Sequence, residues 1–134
     1  MKRFLCALLA VVMLCTMAVS MVSCFASIDS MEKNCKKLKE DGEIAYYTVA
    51  DEATLKFVSD KAVAAISAGS LDDKGYFSAV EFDKTADAKE YYEEAQKDLD
   101  EMEAAGVDVS EYVLKRDGKI VITCTSKDLY KKIA

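Results

Sequence analysis

EYVLKRDGKIVITCT, residues 111–125, sets two apolar runs on either side of Asp117-Gly118. An Asp-Gly pair in that setting is a β-hairpin signal, because a two-residue turn of this kind needs positive φ and glycine adopts it without steric cost. With Asp117 and Gly118 at the centre of the turn, Leu114 is expected opposite Val121 and Val113 opposite Ile122. The strands on either side must then run antiparallel, which decides the kind of sheet. Directly downstream, Thr125-Ser126-Lys127-Asp128 has the form of a capping box opening a short helix that carries Leu129, Tyr130 and Ile133.

Upstream of the hairpin, Thr85 is expected to cap the longest helix, residues 86–105. Its stripe of Ala88, Tyr91, Tyr92, Ala95, Leu99 and Met102 reads as core packing, and Gly106 as its stop. YFSAVEF, 76–82, is a strand with Tyr76, Ser78, Val80 and Phe82 on one side and Phe77, Ala79 and Glu81 on the other. GSLDDKG, 69–75, is a turn. KAVAAISA, 61–68, suits a helix by its alanines and a strand by its short length and flanking turns. EIAYYTVA, 43–50, is a strand, and 51–58 a short helix or turn capped by Asp51. Ile28, Met31, Cys35 and Leu38 recur at helical spacing between a capping box at Asp29-Ser30-Met31-Glu32 and a stop at Gly42. Strand meanders interrupted by one long helix predict an α+β fold: an antiparallel sheet of about five strands with helices packed on one face.

Met1-Lys2-Arg3 is followed by FLCALLAVVMLCTMAVSMVSCFASI, which holds no carboxylate and no basic side chain. A positive n-region before an apolar h-region is the pattern of a secretory signal. Cys6 and Cys15 each follow leucine, whereas Cys24 follows Ser23. Val22-Ser23-Cys24 resembles the lipobox of bacterial lipoproteins, with Met21 where leucine is usual. That resemblance implies a diacylglycerol on the Cys24 thiol, cleavage on its amino side and a mature chain that starts there. Two other readings stand beside it. Cys24-Phe25-Ala26 has the small-x-small form of an ordinary signal-peptidase site, giving a start at Ser27. The whole run, rising about 1.5 Å per residue, also has the length of an uncleaved anchor across a hydrocarbon core of about 30 Å. All three export the domain, and a two-chain lipid anchor holds stably where a single chain does not. The expected organisation is a signal peptide over 1–23 and one α+β domain over 24–134, tethered through Cys24 to the outer face of the cell membrane.

The VSC boundary, the strand-to-helix join FDKTADAKEYYEE at 82–94 and the hairpin-to-helix join GKIVITCTSKDLYKKI at 118–133 together resemble small uncharacterised lipoproteins of Gram-positive gut bacteria. The resemblance covers most of the mature chain and implies an envelope location, with no activity to carry over.

Removal of 1–23 from the 134 residues leaves 111, enough for one domain. It also takes Lys2 and Arg3 from the 18 basic side chains, leaving 16 against 24 acids and a formal charge of −8. Such a chain repels polyanions, so nucleic acid is not an expected partner and a basic protein is. Glu81 to Glu103 holds ten acids against Lys84, Lys89 and Lys97. On the long helix, Glu90, Glu93, Glu94, Asp98 and Glu101 form a candidate docking face for a basic protein or a weak divalent-cation site. An ordinary solvated helix side is the plainer reading. Lys33, Lys36, Lys37 and Lys39, close to the anchor, are either solvated or turned to an anionic surface, where each gains on the order of 1 kcal/mol. Cys35 and Cys124 lie on apolar faces and form either a disulfide outside the membrane or two small buried apolar residues.

The chain has no histidine, which removes histidine bases, Ser-His and Cys-His nucleophiles and the usual catalytic zinc sites. No P-loop, dinucleotide fingerprint or G-x-S-x-G is present. No tryptophan offers a sugar-stacking platform, and Asp72-Asp73 lacks the spacing of a calcium loop. The expectation is a non-catalytic binding or interaction module of the envelope, with no cofactor. The alternative is a small acidic inhibitor or immunity-type protein acting on a basic partner, and a carboxylate-based enzyme is the outsider.

Overall fold

A computed structural model describes residues 27–134; the expected signal peptide over 1–23 and Cys24 lie outside the described residues. Helix α1 (Ile28–Glu40) opens at Ser27, whose hydroxyl accepts the Ser30 amide at 3.2 Å. The cap is therefore Ser27 and not the Asp29 box. Asp29 is left in the first turn, where a carboxylate suits the positive end of the helix dipole. Gly42, at φ 73°, supplies the expected stop.

Strand β1 (Ile44–Val49) follows, then α2 (Glu52–Val58), where the Asp51 carboxylate accepts the Thr54 amide at 2.8 Å. The alanine-rich run is a strand, β2 (Ala62–Ser70). It pairs on both sides, so ladder hydrogen bonding and burial override the helical preference of alanine. Next come β3 (Tyr76–Phe82), α3 (Thr85–Ala104), β4 (Val113–Asp117), β5 (Ile120–Cys124) and α4 (Lys127–Ile133). Thr85 lies inside α3; the capping position is Lys84, with no side-chain cap bond. Ser126 rather than Thr125 caps α4, accepting the Leu129 amide at 3.3 Å.

The five strands form one sheet in the order β1-β2-β3-β5-β4, antiparallel throughout. The α+β class and the five-stranded antiparallel sheet are thus as expected. The helices, however, pack on both faces and not on one. Ile28, Met31 and Cys35 of α1 and Leu129 and Ile133 of α4 meet Ile66, Ala68, Phe77, Ala79, Ile122 and Cys124 on one side. On the other, Ala88 of α3 meets Ala65, Val80, Phe82 and Val121, with Leu55, Tyr91 and Tyr92 packed against them. The reason lies in the central strands: β3 and β5 carry apolar residues at both parities, so each needs cover on both sides.

The hairpin also departs from its expected register. Val113 faces Cys124, Leu114 faces Thr123 and Asp117 faces Ile120, so the two turn residues are Gly118 and Lys119. Gly118 alone of the two has positive φ, 56°, as in a type II′ turn, which needs it only at the first central position. The slip is two residues, so every side chain keeps its face.

Candidate functional site

The side of the sheet beneath α3 changes character along its strands. One cross-strand row is apolar, Ala65-Val80-Val121. The next is hydroxylic: Thr48, Ser67, Ser78 and Thr123 stand side by side on four strands, with Leu114 beyond them. The third is Tyr46-Gly69-Tyr76, extended by Thr125, whose N–H donates to the Tyr76 carbonyl at 2.9 Å while its Oγ1 accepts the Tyr76 amide at 2.8 Å. The Tyr46 ring lies against Gly69, in the space a Cβ would take.

Helix α3 follows this change. Its first half is seated, with Ala88 fully buried and Tyr91 tilted against Phe82 at 5.2 Å between ring centroids. Its second half faces the small polar rows. Ala95, Leu99 and Met102, expected as core, are only half-buried there and line a groove of about 310 Å³. The opposite wall is Tyr76, Tyr112, Leu114, Thr123 and Thr125, and Tyr91 and Asp98 complete it. The groove carries three tyrosines, one carboxylate and no basic residue. Burial, then the neighbouring Tyr76 and Glu94, push the Tyr91 hydroxyl above the usual phenol range.

The five acids singled out on the long helix do not act alike. Glu90 holds Lys61 at 2.9 Å, Glu93 holds Lys89 at 3.7 Å and Glu101 holds Lys97 at 3.8 Å. Among the described residues neither Glu94 nor Asp98 has an ion-pair partner. Of the two, Asp98 lines the groove, while Glu94 neighbours Tyr91 and lines the smaller hollow on its other side. Lys61 closes the far side of Tyr91, bound to both Asp87 and Glu90 in a smaller hollow of about 160 Å³.

Cys35 and Cys124 are both buried in the core under α1 and α4, and both thiols are free. The disulfide is not formed; the Cys124 thiol instead donates to the Ser126 carbonyl at 3.1 Å. Burial, reinforced by Glu32, pushes the Cys35 thiol up to about 11. Lys33, Lys36, Lys37 and Lys39 are all exposed. Among the described residues no group of three or more acids or thiols is placed to hold a metal ion, and no helix is long and apolar enough to cross a membrane.

A second hollow, of about 260 Å³, lies where β2 turns into β3 against the start of α4. Lys132 holds Glu43 there at 2.6 Å, Asp72 accepts the Ser70 hydroxyl at 2.5 Å, and Lys74, Glu111 and Asp128 add charges of both signs. The tyrosine groove was not foreseeable from any one segment, since its walls come from β3, α3, β4 with its approach, and β5. Its trace in the sequence is Thr48, Ser67, Ser78 and Thr123, each a small hydroxyl side chain at a strand position two residues after an apolar or aromatic one. No family model matches the chain, and no curated protein or solved structure matches it either.

Proposed function

We propose that this chain is an exported lipoprotein, tethered through Cys24 to the outer face of the cell membrane, and that it works there as a non-catalytic binding module for a basic envelope partner. The observation that carries the binding reading is the open groove under α3, with Asp98 on its wall and no ion-pair partner for Asp98 among the described residues. A formal charge of −8 on the mature chain attracts a basic partner over a distance of about one Debye length, roughly 10 Å at moderate salt. Support for the address comes from the lipobox-like Val22-Ser23-Cys24 after an uncharged run.

Intact mass and membrane partition of the protein from its host, compared with Cys24→Ser, test the address. A diacyl mass on wild type, with loss of lipid and membrane in the variant, is the expected result; an unacylated start at Ser27 or an intact Met1 overturns it. Capture of a lysine-rich polypeptide by the wild-type protein, weakened by salt and by Glu94→Gln with Asp98→Asn, tests the binding. Capture insensitive to both sinks the assignment of α3.

A further inference from the structure

We infer that the groove under α3 is a lysine-side-chain pocket, taking the ammonium of the basic partner between Tyr76, Tyr91 and Tyr112 with Asp98 as its counter-ion. This rests on the binding-module reading and names the group that such a module recognises. Tyrosine faces attract a cation through the ring quadrupole, most strongly where water is displaced, and a carboxylate at the same place supplies the opposite charge. A primary ammonium has three N–H donors and therefore needs oxygen acceptors as well as rings. The groove supplies the Asp98 carboxylate and the Thr123 hydroxyl, while Thr125 is already engaged by Tyr76 and the Lys74 carbonyl. Ala95, Leu99, Met102 and Leu114 give the butyl stem an apolar wall.

Two of the molecule's own ammonium groups are held by one or the other of these means. Lys61 sits on the far side of Tyr91 between Asp87 and Glu90, at 3.5 and 2.9 Å. Lys115 lies over the Tyr130 ring, its Nζ 4.9 Å from the centroid. On the groove side of Tyr91, tyrosine and carboxylate recur and the described residues provide no cation. The lining contains no lysine or arginine to compete for the place. At about 310 Å³ the groove lies at the small end of ligand pockets, of a size for one side chain and not a folded segment.

Saturation-transfer NMR on the native protein in detergent, with acetyl-Gly-Lys-Gly-amide as probe, tests this. The lysine methylenes next to the ammonium should receive the strongest transfer. The Nε-acetylated peptide should bind at least about tenfold more weakly, a difference of about 1.4 kcal/mol. Tyr112→Leu and Asp98→Asn should each give a comparable loss, with circular dichroism unchanged to show that the fold persists. Equal binding of the acetylated peptide, or binding unaffected by both variants, overturns the pocket. Lysine-rich polypeptide captured while the groove variants bind it as wild type does leaves the binding module standing and removes the pocket; no capture of any basic chain removes both.

Discussion

Cys35 shows how one buried group makes the stability of the domain depend on pH. Its side chain is fully buried among Ile28, Met31 and the sheet, and its thiol titrates near 11 because the thiolate would lose its water and stand near Glu32. In the unfolded chain the same thiol titrates near 9.0. Between these values the unfolded state has given up the proton and the folded state has not, so stability falls as pH rises from about 9 to about 11. The loss is on the order of 2 kcal/mol. Denaturant unfolding of wild type and Cys35→Ala at pH 7, 9 and 10.5 should show a steeper decline for wild type; parallel declines would refute the assignment. The same burial should keep iodoacetamide off Cys35 and Cys124 at pH 8 until the chain unfolds, as mass spectrometry would register. Sequence patterning placed both cysteines on apolar faces, and both are core residues; pairing depends on three-dimensional approach, which spacing along a chain does not contain.

Among the elements, the two short helices α2 and α4 have similar caps and different consequences. Asp51 caps α2, which buries no residue and leaves Phe57 92 % exposed, so Asp51→Ala should release about 1 kcal/mol locally. Faster exchange of the Thr54 amide with little change in melting temperature is the expected signature. Ser126 caps α4, which buries Leu129 and Ile133, so a similar loss from Ser126→Ala should appear in global unfolding. The hairpin turn carries a related expectation. Gly118→Ala forces an L side chain to positive φ and should cost about 1 kcal/mol by denaturant melts. Element identities were legible because periodicity spans many residues; cap positions and turn register were not, because neighbouring residues compete for them. In Ser27-Ile28-Asp29 and Thr125-Ser126 two side chains meet the capping rule. Tertiary bonds choose between them at the second site, where the Thr125 hydroxyl is taken by Tyr76 and Lys74.

In the whole molecule, a sheet covered on both faces divides the labour. The side under α1 and α4 is closed by large buried groups, Met31, Phe77, Ile122 and Ile133 among them. The side under α3 is closed near Phe82 and open near Tyr76, and the open end is the groove. Phe77→Ala should therefore cost about 3 to 5 kcal/mol in a denaturant melt, and Thr123→Ala, on the groove wall, less than about 1. Double-sided cover was written in β3 and β5, whose apolar residues occupy both parities. The groove was less legible, since it depends on how far α3 stands from rows of small hydroxyl side chains. That distance is a property of packing and belongs to no single segment.

Helix α1 docks on α4, and the Asn34 side-chain amide donates to the Ile133 carbonyl at 3.0 Å across 99 residues of chain. In a nascent polypeptide α1 meets β1 and β2 early, but its seat is completed only when α4 has been synthesised, and a contact of such high sequence separation forms late. A ribosome-bound chain halted before residue 126 should exchange its α1 amides faster than the chain that includes α4 does. Closure of this kind leaves one side of the sheet partly uncovered until α4 has emerged, so the order of synthesis is also an order of sealing.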